Sequence, residues 1–161
     1  MAWFNNTESQ GEENVGQPVS FQRLQSLVAR NGWNVGSPEQ VENPQFLYAY
    51  FDGVYTVFST EHDNCLMVSA FGINNLTLSL DRFEDAVMWA ADHNLGTNFG
   101  TSFITSDEDE GTVMLRVDSA ILCPAGATDE QLVEWVNVAL SANLAAMKRF
   151  AEHFDVQIEQ R

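Results

Sequence analysis

Residue types able to do chemistry are few in this chain and poorly spaced for it. His62, Asp63 and Cys65 come nearest to a metal-ligand group, but a tetrahedral zinc site takes three or four protein ligands. In an extended segment the period of two sends Asp63 and Cys65 to one side and His62 to the other, so the spacing predicts a solvated turn. The run Asp107-Glu108-Asp109-Glu110 carries the opening charge of a calcium loop. Gly111, however, stands where an EF-hand supplies an oxygen ligand, and Thr112 where it needs glycine. That run predicts a hairpin tip. Cys123 and His153 would act as nucleophile and base only if the fold joined them, and about 25 intervening helical residues would hold them roughly 37 Å apart. There is no Gly-x-Ser-x-Gly, no phosphate-cradling glycine loop and no His-Glu-x-x-His. No catalytic residue, metal ligand or cofactor is therefore assigned, and the chain is read as a non-enzyme.

Composition narrows the partners. The 161 residues suit one domain, and 45% hydrophobic content with eleven Phe and four Trp is enough for a core without disulfide or metal. Asp and Glu number 23 against seven Lys and Arg, a net charge of −16. Nucleic acid and anionic lipid are bound through clustered Lys and Arg, so neither is an expected partner, whereas a basic partner could be steered by this field. Cys65 and Cys123 sit among apolar residues and read as buried free thiols. The opening residues lack the basic-then-apolar pattern of a secretory signal, and no apolar run approaches the roughly 20 residues of a membrane span. The expectation is a cytoplasmic protein with no membrane contact.

The elements that would position any site follow in order. Residues 1–18 read as a flexible N-terminal tail, 19–156 as a single domain and 157–161 as a C-terminal tail. Ser20 caps a helix with Phe21, Leu24, Leu27 and Val28 on one stripe, stopped by Asn31-Gly32. Trp33 to Pro44 is a polar connection. Strands are predicted at 45–51 and 54–60 around the Asp52-Gly53 turn, which tolerates the positive φ of a type I′ hairpin, and at 65–71. Ser79 or Asp81 is expected to cap a second helix over 80–93, with Phe83, Val87, Ala90 and Ala91 as its core stripe and Met88 and Trp89 in excess on a flank. Strands at 99–105 and 111–123 flank the acidic tip, with Val113, Leu115 and Val117 on one face and Arg116 and Asp118 on the other. Thr128 and Gln131 form a capping box for a helix reaching Phe154, whose buried face runs Leu132, Val136, Ala139, Leu140, Asn143, Met147, Phe150 and Phe154. The fold class is α+β, a five-stranded antiparallel sheet with helices packed on one face, in the order α-β-β-β-α-β-β-α.

The stretch Leu115 to Phe154 resembles the C-terminal part of the YbjN-like family, described as bacterial sensory transduction regulators. It contains the strand Leu115-Arg116-Val117-Asp118, the loop Cys123-Pro124-Ala125-Gly126-Ala127 and the helix start Thr128-Asp129-Glu130-Gln131-Leu132. The resemblance implies the fold of type III secretion chaperones over residues 20–154 and a role in binding or regulation. In that fold the middle helix and fourth strand form a two-fold contact. The stretches Met88 to Asn94 and Gly96 to Gly100 depart from the family pattern, so no residue role is carried over to them.

Surfaces are what remain to carry function. Met88, Trp89, Phe99 and Phe103 are the candidate dimer or partner interface, because large exposed apolar patches mark association. The expectation is a non-enzymatic binding module, a chaperone-like adaptor or regulator of another protein or peptide, acting as a homodimer. Two rivals predict different things. A small-molecule sensor requires an apolar cavity lined by the Phe and Tyr of the first three strands, and an enzyme of undescribed type requires a pocket with converging polar groups.

Overall fold

The structure, a computed structural model, describes residues 16–37, 45–60 and 64–158. His62 and Asp63, most of the expected N-terminal tail, part of the 33–44 connection and the last three residues lie outside the described residues. Helix α1 (Phe21–Arg30) begins where Ser20 accepts a hydrogen bond from Arg23 N, and it buries Leu24, Leu27 and Val28. Strands β1 (Phe46–Phe51) and β2 (Val54–Ser59) meet through Asp52 and Gly53, both at positive φ (49° and 81°). Strand β3 (Cys65–Phe71) completes the meander.

Next comes a sixth, two-residue strand that the periodicity did not predict. Strand β4 (Leu78–Ser79) pairs Leu78 with Val113 and Ser79 with Thr112 of the long strand β6 (Thr112–Leu122). It continues the position that β3 vacates after Phe71, which pairs with Arg116. Helix α2 (Phe83–Gly96) is entered through a 3-10 turn over Leu80–Arg82. Ser79 and Asp81 were both candidate caps, and neither end of that turn carries a side-chain cap bond. Ser79 is held in the sheet instead, and Leu80 N donates to Gly111 O, so the backbone that would have been capped is committed to strand pairing.

Strand β5 (Thr101–Asp107) lies on the other side of β6 and ends the sheet there. Helix α3 (Asp129–Phe154) starts at the expected capping box, with Gln131 N donating to Thr128 Oγ1 at 3.2 Å and Thr128 N to Gln131 Oε1 at 2.9 Å. It ends on Asp155, which adopts the left-handed conformation. All eight predicted core residues of this helix are buried. An antiparallel α+β sheet with helices on one face is thus the architecture, with six strands because β4 adds one.

The core has two lobes under one helix. The first gathers α1, Leu47, Phe58, Leu66 and Val68 around the N-terminal half of α3; the second gathers Leu78, Ala86, Val113 and Leu115 around Met147, Phe150 and Phe154. Asn143 stands fully buried on α3 between them. Its amide donates to Val68 O at 2.9 Å and Val117 O at 3.2 Å, and its Oδ1 accepts from Ser119 Oγ at 2.8 Å. A buried amide with its donor and acceptor both engaged has no desolvation cost left uncompensated and fixes the helix at one register on the sheet.

Cys65 and Cys123 are free and buried. Burial pushes the Cys123 thiol up, which keeps it protonated and unreactive. Cys123 belongs to the first lobe, whereas His153 sits in the last turn of α3 against Phe154, in the second. At the β5–β6 turn Asp107 Oδ1 accepts from Asp109 N and Glu110 N at 3.0 Å each, so its carboxylate closes a hairpin tip. Among the described residues no helix is long and apolar enough to cross a membrane, and no group of three acidic, His or Cys side chains is placed to hold a metal ion.

Candidate functional site

The middle helix is rotated from its expected orientation. Ala86 and Ala90, one turn apart, are the residues α2 buries, while Phe83, Val87 and Ala91 of the expected core stripe face outward. Small side chains let the helix approach the sheet closely, and the larger apolar groups are left on the solvent side. Leu80, Phe83 and Val87, spaced three and four residues apart, form an exposed apolar ridge, with Met88 (65% exposed) beside it and Leu95 beyond. The signal in the sequence was the Ala86–Ala90 pair, which apolar periodicity alone ranked below the larger side chains.

Trp89 turns the other way. Its ring lies edge-on to Phe150 at 5.1 Å between centroids and stacks on His93 at 5.0 Å. It is half-buried against the second core lobe, so of the four expected interface residues it is the one shared with the core. Phe99 is exposed in the loop after α2, where Thr97 Oγ1 donates to Phe99 O at 2.8 Å and accepts from Phe99 N at 3.3 Å.

Strand β5 is the edge beside this helix. Asn94 Nδ2 donates to Ser102 O at 3.0 Å and Ser102 N donates to Asn94 Oδ1 at 2.7 Å, so the Asn94 side chain imitates a neighbouring strand. Ser102 Oγ lies 3.1 Å from His93 Nδ1. Burial, with a smaller contribution from the Arg149 charge, holds His93 below the usual imidazole range. Because alternate residues of an antiparallel edge strand present their N–H and C=O to the same side, Ile104 and Ser106 face outward as Ser102 does. No strand among the described residues pairs with them on that side.

Phe103, 46% exposed, pairs with Arg116 and so lies on the face of the sheet away from α3. There it ends a row that crosses five strands: Tyr50, Tyr55, Phe71, Arg116 and Phe103. Tyr50 and Tyr55 are 5.4 Å apart, Tyr55 and Phe71 6.0 Å, and the Arg116 guanidinium covers Phe71 at 5.3 Å while its Nε donates to Asp118 at 2.8 Å. Of the Phe and Tyr rings of the first three strands, Phe46 and Phe71 line an open groove of about 280 Å³ with Arg116 on this face of the sheet, which no helix among the described residues covers. Met88 stands on the outer side of α2, on the helix-covered side of the sheet, whereas Phe103 lies on the opposite face.

A helix-covered antiparallel sheet with this order of elements is matched by a family model over residues 20–155, whose description is "Putative bacterial sensory transduction regulator". The chain belongs to the YbjN family. The crystal structure of YbjN, "a putative transcription regulator from E. coli", is similar with a TM-score of 0.66 at 17% sequence identity, covering 86% of this chain and 95% of that one. At that identity the likeness shows a shared fold. No curated protein sequence matches the chain. The YbjN match takes in α2, β5 and the whole sheet, so the ridge and the edge lie inside the family domain.

Proposed function

We propose that this YbjN-family chain is a non-enzymatic binding module, a chaperone-like adaptor or regulator of another protein, that works as a homodimer through α2 and the outer edge of β5. The observation that carries the reading is the exposed ridge Leu80, Phe83 and Val87, with Met88 exposed on the same helix, together with the outward backbone of Ile104 and Ser106, which no strand among the described residues pairs. An apolar ridge of this kind loses free energy to water until covered, and an open strand edge is a template for pairing. A two-fold axis beside β5 satisfies both at once, bringing ridge to ridge and edge to edge. It also accounts for Phe99 and Phe103, which flank the same edge from the loop and from the bare face of the sheet. The family description as a regulator supports action by contact rather than by turnover.

Light scattering behind size-exclusion chromatography tests this. The expected mass is twice the 18.0 kDa of the chain, falling to the single-chain value in Met88→Glu with an unchanged circular-dichroism spectrum. A wild-type chain that elutes at the single mass even at high concentration sinks the dimer.

A further inference from the structure

Helices α1 and α3 leave between them a mostly apolar groove of about 760 Å³. Leu27, buried, and Val133, half-buried, line its inner side, Val138 stands exposed at its outer rim, and Glu130 and Glu134 of α3 lie between the two valines around the helix. Along α3 it runs from Asp129 to Ser141, a rise of about 18 Å or some three helical turns. The one cation among its lining residues, Arg30, bonds the Asp129 carboxylate, as does the nearly buried Arg23 behind it. Glu130 and Glu134, exposed and one turn apart, have no ion-pair or hydrogen-bond partner among the described residues. The helix dipole favours Glu130 in the first turn. It does little for Glu134, which instead repels Glu130 at this spacing.

We infer that this groove receives a basic amphipathic helix from another protein, its apolar stripe on Leu27, Val133 and Val138 and its Lys or Arg side chains against Glu130 and Glu134. Two helices with an apolar trough between them offer the geometry into which a third helix lays its i, i+3, i+4, i+7 face. Charge selects the source. A second copy of this chain, with seven basic residues against 23 acidic, is a poor donor of cations, and residues 1–15 carry three Glu and no Lys or Arg. A cationic partner is moreover drawn in by a chain of net charge −16. The inference rests on the reading of the chain as a binding module and names the chemistry of its partner, at a surface separate from α2.

The test uses the full chain and a fluorescent synthetic peptide of about 14 Leu, Ala and Lys residues, patterned so that Lys flanks a Leu stripe at i, i+4. A scrambled peptide of the same composition is the control. Titrations are run at physiological salt, where contacts between exposed charges beyond about 8 Å are screened. The patterned peptide is expected to bind at least tenfold more tightly than the scrambled one. That preference should drop to below threefold in the double variant Glu130→Lys/Glu134→Lys and, independently, in Val138→Asp, an exposed position whose change leaves the core intact. Equal binding of the two peptides, or patterned binding that survives both variants, overturns the groove. So does a change in chain mass on substituting Glu130 and Glu134, since that assigns the surface to a second copy. A wild-type chain that stays monomeric yet binds the patterned peptide fails the homodimer and leaves the groove standing; a dimer that ignores the peptide does the reverse.

Discussion

Ser119 of β6 donates its hydroxyl to Asn143 Oδ1 of α3 at 2.8 Å in a fully buried setting, and the Asn143 amide is shared between the carbonyls of Val68 and Val117. One side chain thereby ties the long helix to the two central strands, at the boundary between the core lobes. Gly100, at φ 76°, passes so close that an added Cβ would lie 3.1 Å from that same oxygen, so the loop leading into β5 also depends on where Asn143 sits.

Asn143→Leu is expected to destabilise the chain by about 2 to 4 kcal/mol. The Ser119 hydroxyl is left without its acceptor at a cost of about 1 to 3 kcal/mol, and the amide bonds go with it. Pairing it with Ser119→Ala should recover part of the loss, because the stranded hydroxyl is removed as well. Urea unfolding of the single and double variants measures this, and strictly additive losses would mean that the two residues are not coupled.

Trp89 and Met88 are neighbours in sequence with opposite roles. Trp89→Glu should lower stability by about 3 kcal/mol, since it places a charge against Phe150 and removes a large ring from the second lobe. Met88→Glu should leave the unfolding midpoint within about 0.5 kcal/mol of wild type when both are measured as monomers. Equal losses in the two variants would place Met88 in the core and remove the exposed ridge.

Asp129 accepts from Arg23 and Arg30, and these bonds hold its carboxyl below the usual carboxylate range. A depressed folded pKa means that the unfolded chain takes up the proton first. The stabilisation is therefore complete above about pH 4 and is lost as pH falls through the lower folded value. The stability difference between wild type and Asp129→Asn should be constant from neutral pH down to about pH 4 and shrink below it. A difference that grows on acidification would contradict the ion-pair origin.

His93 shows the opposite charge type. Burial beside Trp89 and Ser102, with Arg149 nearby, favours its neutral form. The unfolded chain then binds the proton more readily, and stability falls as pH drops below about 6.5. Relative to wild type, His93→Gln should gain stability between about pH 6.5 and 5 while changing little at pH 8. An imidazole NMR titration midpoint at or above the ordinary value for His93 would count against this.

Much of the scaffold could be read from local chemistry. Ser20 and the Thr128–Gln131 box started their helices, Asp52-Gly53 made its turn with both residues at positive φ, and the period-two alternation placed Val113, Leu115 and Val117 opposite Arg116 and Asp118. These features depend on residues within a turn or two of one another, so the sequence by itself determined the order of the three helices and five longer strands, the buried face of α3 and the family resemblance. Tertiary structure decided the rest. Ser79 entered the sheet because β6 outruns β3 and left a vacant position at Val113 and Thr112. Helix α2 took Ala86 and Ala90 inward because closeness of approach to the sheet, rather than hydrophobicity of the side chain, set its rotation. The α1–α3 groove and the row from Tyr50 to Phe103 draw on residues far apart in the chain, and such surfaces exist only once packing has placed their elements side by side.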